Sequence, residues 1–388
     1  MTRINRLAGL VAALAMTIAS VPAGATDINN IVFFGDSLSD TGNVWFATGG
    51  FPPPPYFQGT SGAPPEFTGG QWSGPGGPSW PTLFAARFGL TATPSVVAVP
   101  FANNFAWGGA RTGVNSDLFK PEPSGVPWLD QQVAAYAASL GGSPPAAGTL
   151  ASIMIGGNDV ANNLGSQAAL EAGITSIITQ TTRLYDLGIR QFLIANVPDI
   201  GATPRFQALD AAEPGTAAFA TFWTLQWNAA LETALEQLDL PGAVVDFFDF
   251  YGFSKDSELL AVFANTTDPC LTETSLCSDP ASYFYWDSFH PSSTSHALLA
   301  EGLARTLVPA RLQQLLADVT AAGPGKSLAS KVAQAQRKFA RSNSQATCGV
   351  LRGFMNQVRA QAGKKLADAQ ATDIMSHANT IREAIGCD

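Results

Sequence analysis

Ser37 stands in Phe33-Phe34-Gly35-Asp36-Ser37-Leu38-Ser39-Asp40, directly after an apolar run. A serine hydroxyl is a weak nucleophile at neutral pH. It needs a base within reach, a group that orients the base, and donors aimed at the oxyanion that forms on attack. The chain offers few bases, because its only histidines are His290, His296 and His377. His290 follows Asp287 by three residues in Phe284-Tyr285-Trp286-Asp287-Ser288-Phe289-His290-Pro291. One turn at that spacing brings a carboxylate to the imidazole, where it fixes the tautomer and stabilises the imidazolium. His296 and His377 fall in helix-like stretches and read as packing residues. Two segments offer oxyanion donors. Trp107-Gly108-Gly109-Ala110 ends a strand-like run, and glycine lets a backbone N–H approach a ligand closely. Gly157-Asn158-Asp159 ends another, and Asn158 carries an amide that donates. Each motif also has a plain structural reading: a capping serine, a surface aspartate beside a packed histidine, a tight turn, an Asn–Asp helix cap.

The elements that must hold these residues follow from the apolar pattern. Ile31 to Phe34, Val96 to Phe105, Ala151 to Ile155, Gln191 to Val197 and Ala243 to Phe250 read as buried strands. Helix-like stretches lie at Pro81 to Leu90 and near 126–140, 169–187 and 215–238. Strands alternating with helices indicate an α/β protein with a parallel sheet covered on both faces. Ligands in such sheets sit outside the C-terminal strand ends, which is where the polar motifs fall. Ser37 is expected at the start of a helix, with the helix dipole facing developing negative charge. Residues 44–80 are rich in proline, glycine and aromatics and read as a long loop, of the kind that tends to carry function. Phe51, Tyr56, Phe57 and Trp72 (with Phe67) are its candidate substrate-lining residues, against lipid or stacked on sugars.

After Pro291 one long helix is expected to about Val319, followed by a linker at 321–326. Residues 327–388 differ in character. Leu328, Val332, Ala335 and Phe339 fall on one helix face; Leu351, Met355 and Val358 on a second; Ile374, Ala378, Ile381 and Ile385 on a third. About ten basic residues face four acidic ones from 324 onward, a basic tail on an acidic protein. This gives an expected division into residues 1–25, 26–320, the linker and the helical module.

The 388 residues carry 46% hydrophobic and 13% charged side chains and a formal net charge of −9. That composition supports a sizeable core, and its acidity argues against nucleic acid as a partner. Arg3 and Arg6, the apolar run Leu7 to Val21 and Ala23-Gly24-Ala25 read as an export signal, too short to span a bilayer. Export favours disulfides for the four cysteines. Proximity pairs Cys270 with Cys277 and Cys348 with Cys387, and the second bridge closes a loop worth about 4 kcal/mol in the chain-entropy model.

Four blocks together resemble the GDSL, or SGNH, hydrolase family: Gly35-Asp36-Ser37-Leu38, Trp107-Gly108-Gly109-Ala110, Gly157-Asn158-Asp159 and Asp287-Ser288-Phe289-His290. Asp40-Thr41-Gly42-Asn43 and Tyr283-Phe284-Tyr285-Trp286-Asp287 look like its extracellular branch of thermolabile haemolysins, phospholipase/lecithinase-type enzymes, carbohydrate acetylesterases and plant lipases. Over about residues 30–310 the resemblance implies a flavodoxin-like three-layer α/β/α sandwich and ester hydrolysis. It makes Ser37 the nucleophile, His290 the base and Asp287 its orienter. The oxyanion donors it implies are the Ser37 N–H, the Gly109 N–H and the Asn158 side chain, with Gly108 the alternative in the double glycine. The tail from about 325 resembles a small helical module of extracellular bacterial enzymes. That implies an accessory role in attachment to substrate or cell surface, beside the reading as a stabilising appendage.

The substrate stays open between small esters, lipids and acetylated glycans, with acyl transfer to a lipid as a further outcome. A secreted binding protein on a hydrolase scaffold is the reading from outside the enzymes, and complete retention of Ser37, Asp287 and His290 argues against it. No cofactor is expected. Three scattered histidines form no metal-ligand cluster, and no phosphate-cradling glycine loop follows the first strand.

Overall fold

The computed structural model describes residues 27–59, 69–97, 102–113, 125–323 and 325–387. The stretch read as an export signal lies outside the described residues. Strand β1 (Asn30–Gly35) opens the sheet and leads through a turn to the short helix α1 (Asn43–Thr48), then α2 (Trp80–Arg87) and α3 (Leu129–Ser139). There follow β2 (Thr149–Met154), α4 (Gly157–Asn162), α5 (Gln167–Asp186), β3 (Gln191–Ala195), α6 (Pro204–Ala212), α7 (Thr216–Glu236) and β4 (Val244–Phe248). Helices α8 (Phe250–Ser254) and α9 (Ser257–Leu260) precede a two-stranded pair, β5 (Asn265–Pro269) and β6 (Tyr283–Tyr285). The chain ends in α10 (Ser293–Thr306), α11 (Val308–Ala322), α12 (Lys326–Phe339), α13 (Ser344–Gln361) and α14 (Asp368–Ile385).

Strands β1 to β4 lie side by side in chain order, all parallel, with Phe33 opposite Ser152 and Ile153 opposite Ile194. Successive strand residues point to opposite faces, and the core divides accordingly. Ile31, Phe33, Leu150 and Leu193 enter one apolar cluster, with Trp80 and Phe84 of α2 and Leu299 and Leu303 of α10. Val32, Phe34, Ile153 and Ile194 enter the other, with Val133 of α3, Ile177 of α5 and Trp227 of α7. This is the three-layer α/β/α arrangement expected, with helices on both faces of a parallel sheet.

Three local expectations need correction. Among the described residues, Val96 to Phe105 is not a strand; Asn104 makes isolated bridges to Phe33 and Pro94. The main chain still pairs there, Phe33 donating to the Asn103 carbonyl and Phe105 to the Phe33 carbonyl. The Asn103 side chain adds bonds, donating from Nδ2 to the Ile31 and Thr91 carbonyls and accepting the Thr93 N–H. The long helix after Pro291 is two, α10 and α11, because Pro309 in the first turn of α11 cannot continue α10 through Leu307. Ser37 sits in a single turn closed by Ser39 and Asp40 N–H bonds to the Asp36 carbonyl, and α1 starts only at Asn43. Ser37 therefore does not itself start a helix.

The C-terminal helices share the core of the sheet layer. Leu328, Val332, Leu351, Phe354, Ile374, Ala378 and Ile381 are buried in the same cluster as Phe33 and Leu303. At 321–326, α11 is capped by Gly323 and α12 starts at Lys326. His377 on α14 bonds Asp318 on α11 at 2.7 Å, and Ser376 and Thr380 bond Asp27 before β1. Cys348 is bridged to Cys387 and Cys270 to Cys277, as proximity suggested. Beneath the sheet, the buried Arg311 guanidinium holds Asp246 of β4 at 3.1 Å and Gln191 of β3 at 2.6 Å.

Candidate active site

Ser37, Asn158 and the Asn196-Val197 corner all leave the C-terminal edge of the sheet, after β1, β2 and β3. The Asp287–His290 turn reaches them from beyond β6. Its geometry comes from one carboxylate. Asp287 Oδ1 accepts the Phe289 and His290 N–H groups, each at 2.7 Å, which folds the turn. Oδ2 then faces His290 Nδ1 at 2.7 Å, and His290 Nε2 stands 2.8 Å from Ser37 Oγ. Burial alone raises the Asp287 carboxyl; attraction to the His290 imidazole and the bonds from His290 and Phe289 outweigh it and hold it at about 2. The carboxylate is thus ionised across the working range, as an orienter of the imidazole requires.

The turn bearing Ser37 is held from several sides. Gln132 of α3 accepts the Gly35 N–H and donates to the Gly35 carbonyl. Asp40 Oδ1 accepts from Gly42 and Asn43, and Oδ2 from Val44 and Gly108. Gly42 has φ +132, and a Cβ there would lie 2.4 Å from the Gly69 nitrogen, so glycine is required for the returning loop to pass. Burial raises the Asp40 carboxyl to about 6 against its four backbone donors. Asp36, next to Ser37, rises to about 7, again chiefly by burial.

The donor segments meet at the same point. Asn158 Nδ2 gives one hydrogen to the Ala110 carbonyl at 3.0 Å, which ties α4 to the double-glycine turn and leaves one for the cleft. Asp159 accepts the Thr112 N–H and hydroxyl below it. Gly108 spends its N–H on Asp40, and a Cβ there would meet the Trp72 indole at 2.7 Å. Gly109, at φ +81, has open space around it and lines the cleft with Ser37 and Asn158.

The loop aromatics divide. Tyr56, Trp72, Arg205 and Phe289 also line this cleft. Phe51 is exposed and meets Trp72 edge-on at 5.3 Å. Phe57 bridges Gln71 and is not among the cleft-lining residues. Trp72 stacks on the His290 imidazole with centroids 4.9 Å apart and planes 30° apart. Tyr56 donates its hydroxyl to Asp287 Oδ2 at 2.8 Å. Sequence reading placed both in a substrate groove and gave no signal for these contacts, which join residues more than two hundred positions apart. His296 is fully buried, accepts the Trp80 N–H and is held near pKa 3 by desolvation, so it is neutral.

Beside Ser37 a narrow apolar cavity of about 50 Å³ is lined by Leu38, Ile155, Val197, Ile200 and Phe284. Among the described residues, no cluster of histidine, cysteine and carboxylate side chains is arranged to ligate a metal.

Known proteins share this framework. An acetylesterase of Thermothelomyces thermophilus is 29% identical over 296 residues, 73% of this chain and 90% of that protein. A phosphatidylcholine-sterol acyltransferase of Aeromonas hydrophila is 24% identical over 351 residues, 77% of this chain and 94% of its own. A GDSL esterase/lipase of Arabidopsis thaliana is 29% identical over 160 residues. The matched segment spans 41% of that plant protein and 50% of another. The family model described as GDSL-like lipase/acylhydrolase matches residues 31–303, a span that begins in β1, ends in α10 and contains every residue of the cleft, and the chain belongs to that family.

Proposed function

We propose that this protein is a secreted serine carboxylic-ester hydrolase working through an acyl-enzyme on Ser37. The carrying observation is the continuous hydrogen-bonded run from Ser37 Oγ to His290 to Asp287. His290 takes the Ser37 proton as Oγ bonds the ester carbonyl carbon. The C–O bond to the alcohol then breaks, and the same proton passes from His290 to the leaving oxygen. Water repeats the sequence and releases the acid. The Ser37 N–H, the Gly109 N–H and the free Asn158 hydrogen hold the oxyanion. The use of the Gly108 N–H by Asp40 supports Gly109 in this role.

The cavity beside Ser37 favours a short acyl group. A water needs about 10–15 Å³ of such space, so about 50 Å³ admits an acyl chain of a few carbons. A fluorophosphonate probe is expected to label the protein at Ser37 and to leave Ser37→Ala unlabelled and inactive; equal labelling of both would remove Ser37 as nucleophile. Across p-nitrophenyl esters, kcat/KM is expected to fall from butyrate toward laurate, and a steady rise would exclude the short-acyl reading.

A second reading is favoured by Arg205, whose guanidinium lies over Phe289 at 5.7 Å on the cleft wall. A phosphate on the leaving group would meet it, as in a phospholipid ester. Fatty-acid release from lecithin vesicles, against acetate release from acetylated glycans, separates the two. Two disulfides and the Leu7 to Val21 run support export. The buried faces of α12, α13 and α14 support a stabilising role for these helices, with attachment left to their basic outer surface.

A further inference from the structure

We propose that Tyr56 is a positioning residue for the acid–base pair: its hydroxyl shares Asp287 Oδ2 with the imidazole and sets how strongly the carboxylate holds a proton on His290. The proposal rests on the assignment of Ser37, His290 and Asp287 made above.

Asp287 accepts four hydrogen bonds, two per oxygen. The backbone supplies both on Oδ1. On Oδ2 the partners are His290 Nδ1 at 2.7 Å and the Tyr56 hydroxyl at 2.8 Å. The carboxylate plane is therefore pinned from both sides, and its charge on the oxygen facing the imidazole is divided between two donors. A donor to an ionised acceptor stabilises the charged form and draws density from competing partners. The hydroxyl remains protonated, because burial and then the neighbouring Asp287 charge push its pKa far above the ordinary value of 10.0.

The ring is held as firmly as the hydroxyl. Tyr56 stands edge-on to Trp286 at 5.9 Å and to Trp72 at 6.0 Å, and Trp72 lies stacked on His290. Trp286 is fully buried and directly precedes Asp287. The main chain fixes the placement. Phe57 donates to the Ser73 carbonyl and accepts the Gln71 N–H, so Tyr56 and Trp72 stand on adjoining strands of one narrow ribbon. That ribbon ties the loop to both members of the pair at once.

Tyr56→Phe keeps the ring and deletes only the donor. With a short p-nitrophenyl ester, kcat is expected to fall about tenfold with KM unchanged within about twofold. The acid limb of kcat/KM is expected to move up by about half a pH unit, because an undivided carboxylate favours the imidazolium. Asp36 and His296, the other titratable groups that interact with the imidazole, are left in place by the variant. A stationary limb overturns the proposal even if kcat falls. So does a loss confined to KM, which would make Tyr56 a substrate contact. Ser37→Ala runs beside it: if that variant keeps activity, the parent assignment fails, whereas an inactive Ser37→Ala with an unmoved limb in Tyr56→Phe removes the tyrosine alone.

Discussion

The Gly108 N–H donates to Asp40 Oδ2 at 2.9 Å, across 68 residues of chain. Through this bond the segment after Ser37 dictates which glycine of the pair faces the cleft. Asp40 also folds its own turn through Gly42, Asn43 and Val44. Asp40→Ala leaves four buried donors without a partner and is expected to lower stability by about 2–4 kcal/mol. Activity is expected to drop beyond the loss of folded protein, since Gly109 loses its anchor. Urea unfolding together with active-site titration checks both; full specific activity per titrated site would refute the anchoring role.

Asn158→Ala removes the hydrogen proposed to meet the oxyanion and is expected to lower kcat by about 10²–10³. The Ala110 carbonyl also loses its partner, so folding is checked by circular dichroism at the same time. Asn158→Asp is the sharper variant: it preserves shape, places charge where the oxyanion forms, and is expected to be no more active than alanine. Steady-state kinetics on one good ester decides, and an aspartate variant near wild-type rate would exclude the role.

Asp36 gives a pH dependence with a definite sign. Burial raises its carboxyl from 3.8 to about 7. Between those values the folded protein keeps a proton that the unfolded chain has released. Its contribution to stability is therefore lost progressively as pH rises through that window. Asp36→Asn keeps the oxygen that accepts the Leu38 N–H and removes the titration. The Tm of the variant minus that of wild type is expected to be more positive at pH 8 than at pH 5, and equal differences would contradict the burial cost.

Arg311→Met deletes a buried guanidinium that satisfies Asp246 and Gln191. The Asp246 carboxyl, already raised by burial, loses its counter-charge. The expected cost is about 3–5 kcal/mol. Arg311→Met with Asp246→Leu is expected to recover most of it, because the lone charge rather than the missing pair is what destabilises. A double variant as weak as the single one would show that packing, not charge, is lost.

Part of this site was legible because one of its contacts is local, and the rest because four short motifs occur together. Asp287 and His290 are three apart, so one Asx-type turn suffices to join them, and the other motifs separate that reading from a surface aspartate beside a packed histidine. The strand–helix alternation was legible because β1 to β3 are buried on both faces and read as mostly apolar runs, while β4 is half-buried and carries Asp246. The Ser37 turn was less so. A residue after a strand resembles a helix start, and only the Asp36 and Gly42 geometry shows the single turn. At the sheet edge the pairing with Phe33 is confined to an isolated bridge at Asn104, where two polar side chains interrupt the apolar pattern that suggested a full strand. The roles of Tyr56 and Trp72 were invisible for a different reason. Both depend on where a long irregular loop returns, which no periodicity encodes.

That return has a bearing on how such an enzyme diversifies. The ribbon around Tyr56 and Trp72 walls the cleft and at the same time grips the imidazole and its carboxylate. Exchanging the whole loop for a relative's would change selectivity and rate together. Libraries that vary 46–55 while fixing Tyr56, Trp72 and the Phe57–Gln71 pairing give selection a route to new alcohols or acids without dismantling the bonds to Asp287 and His290.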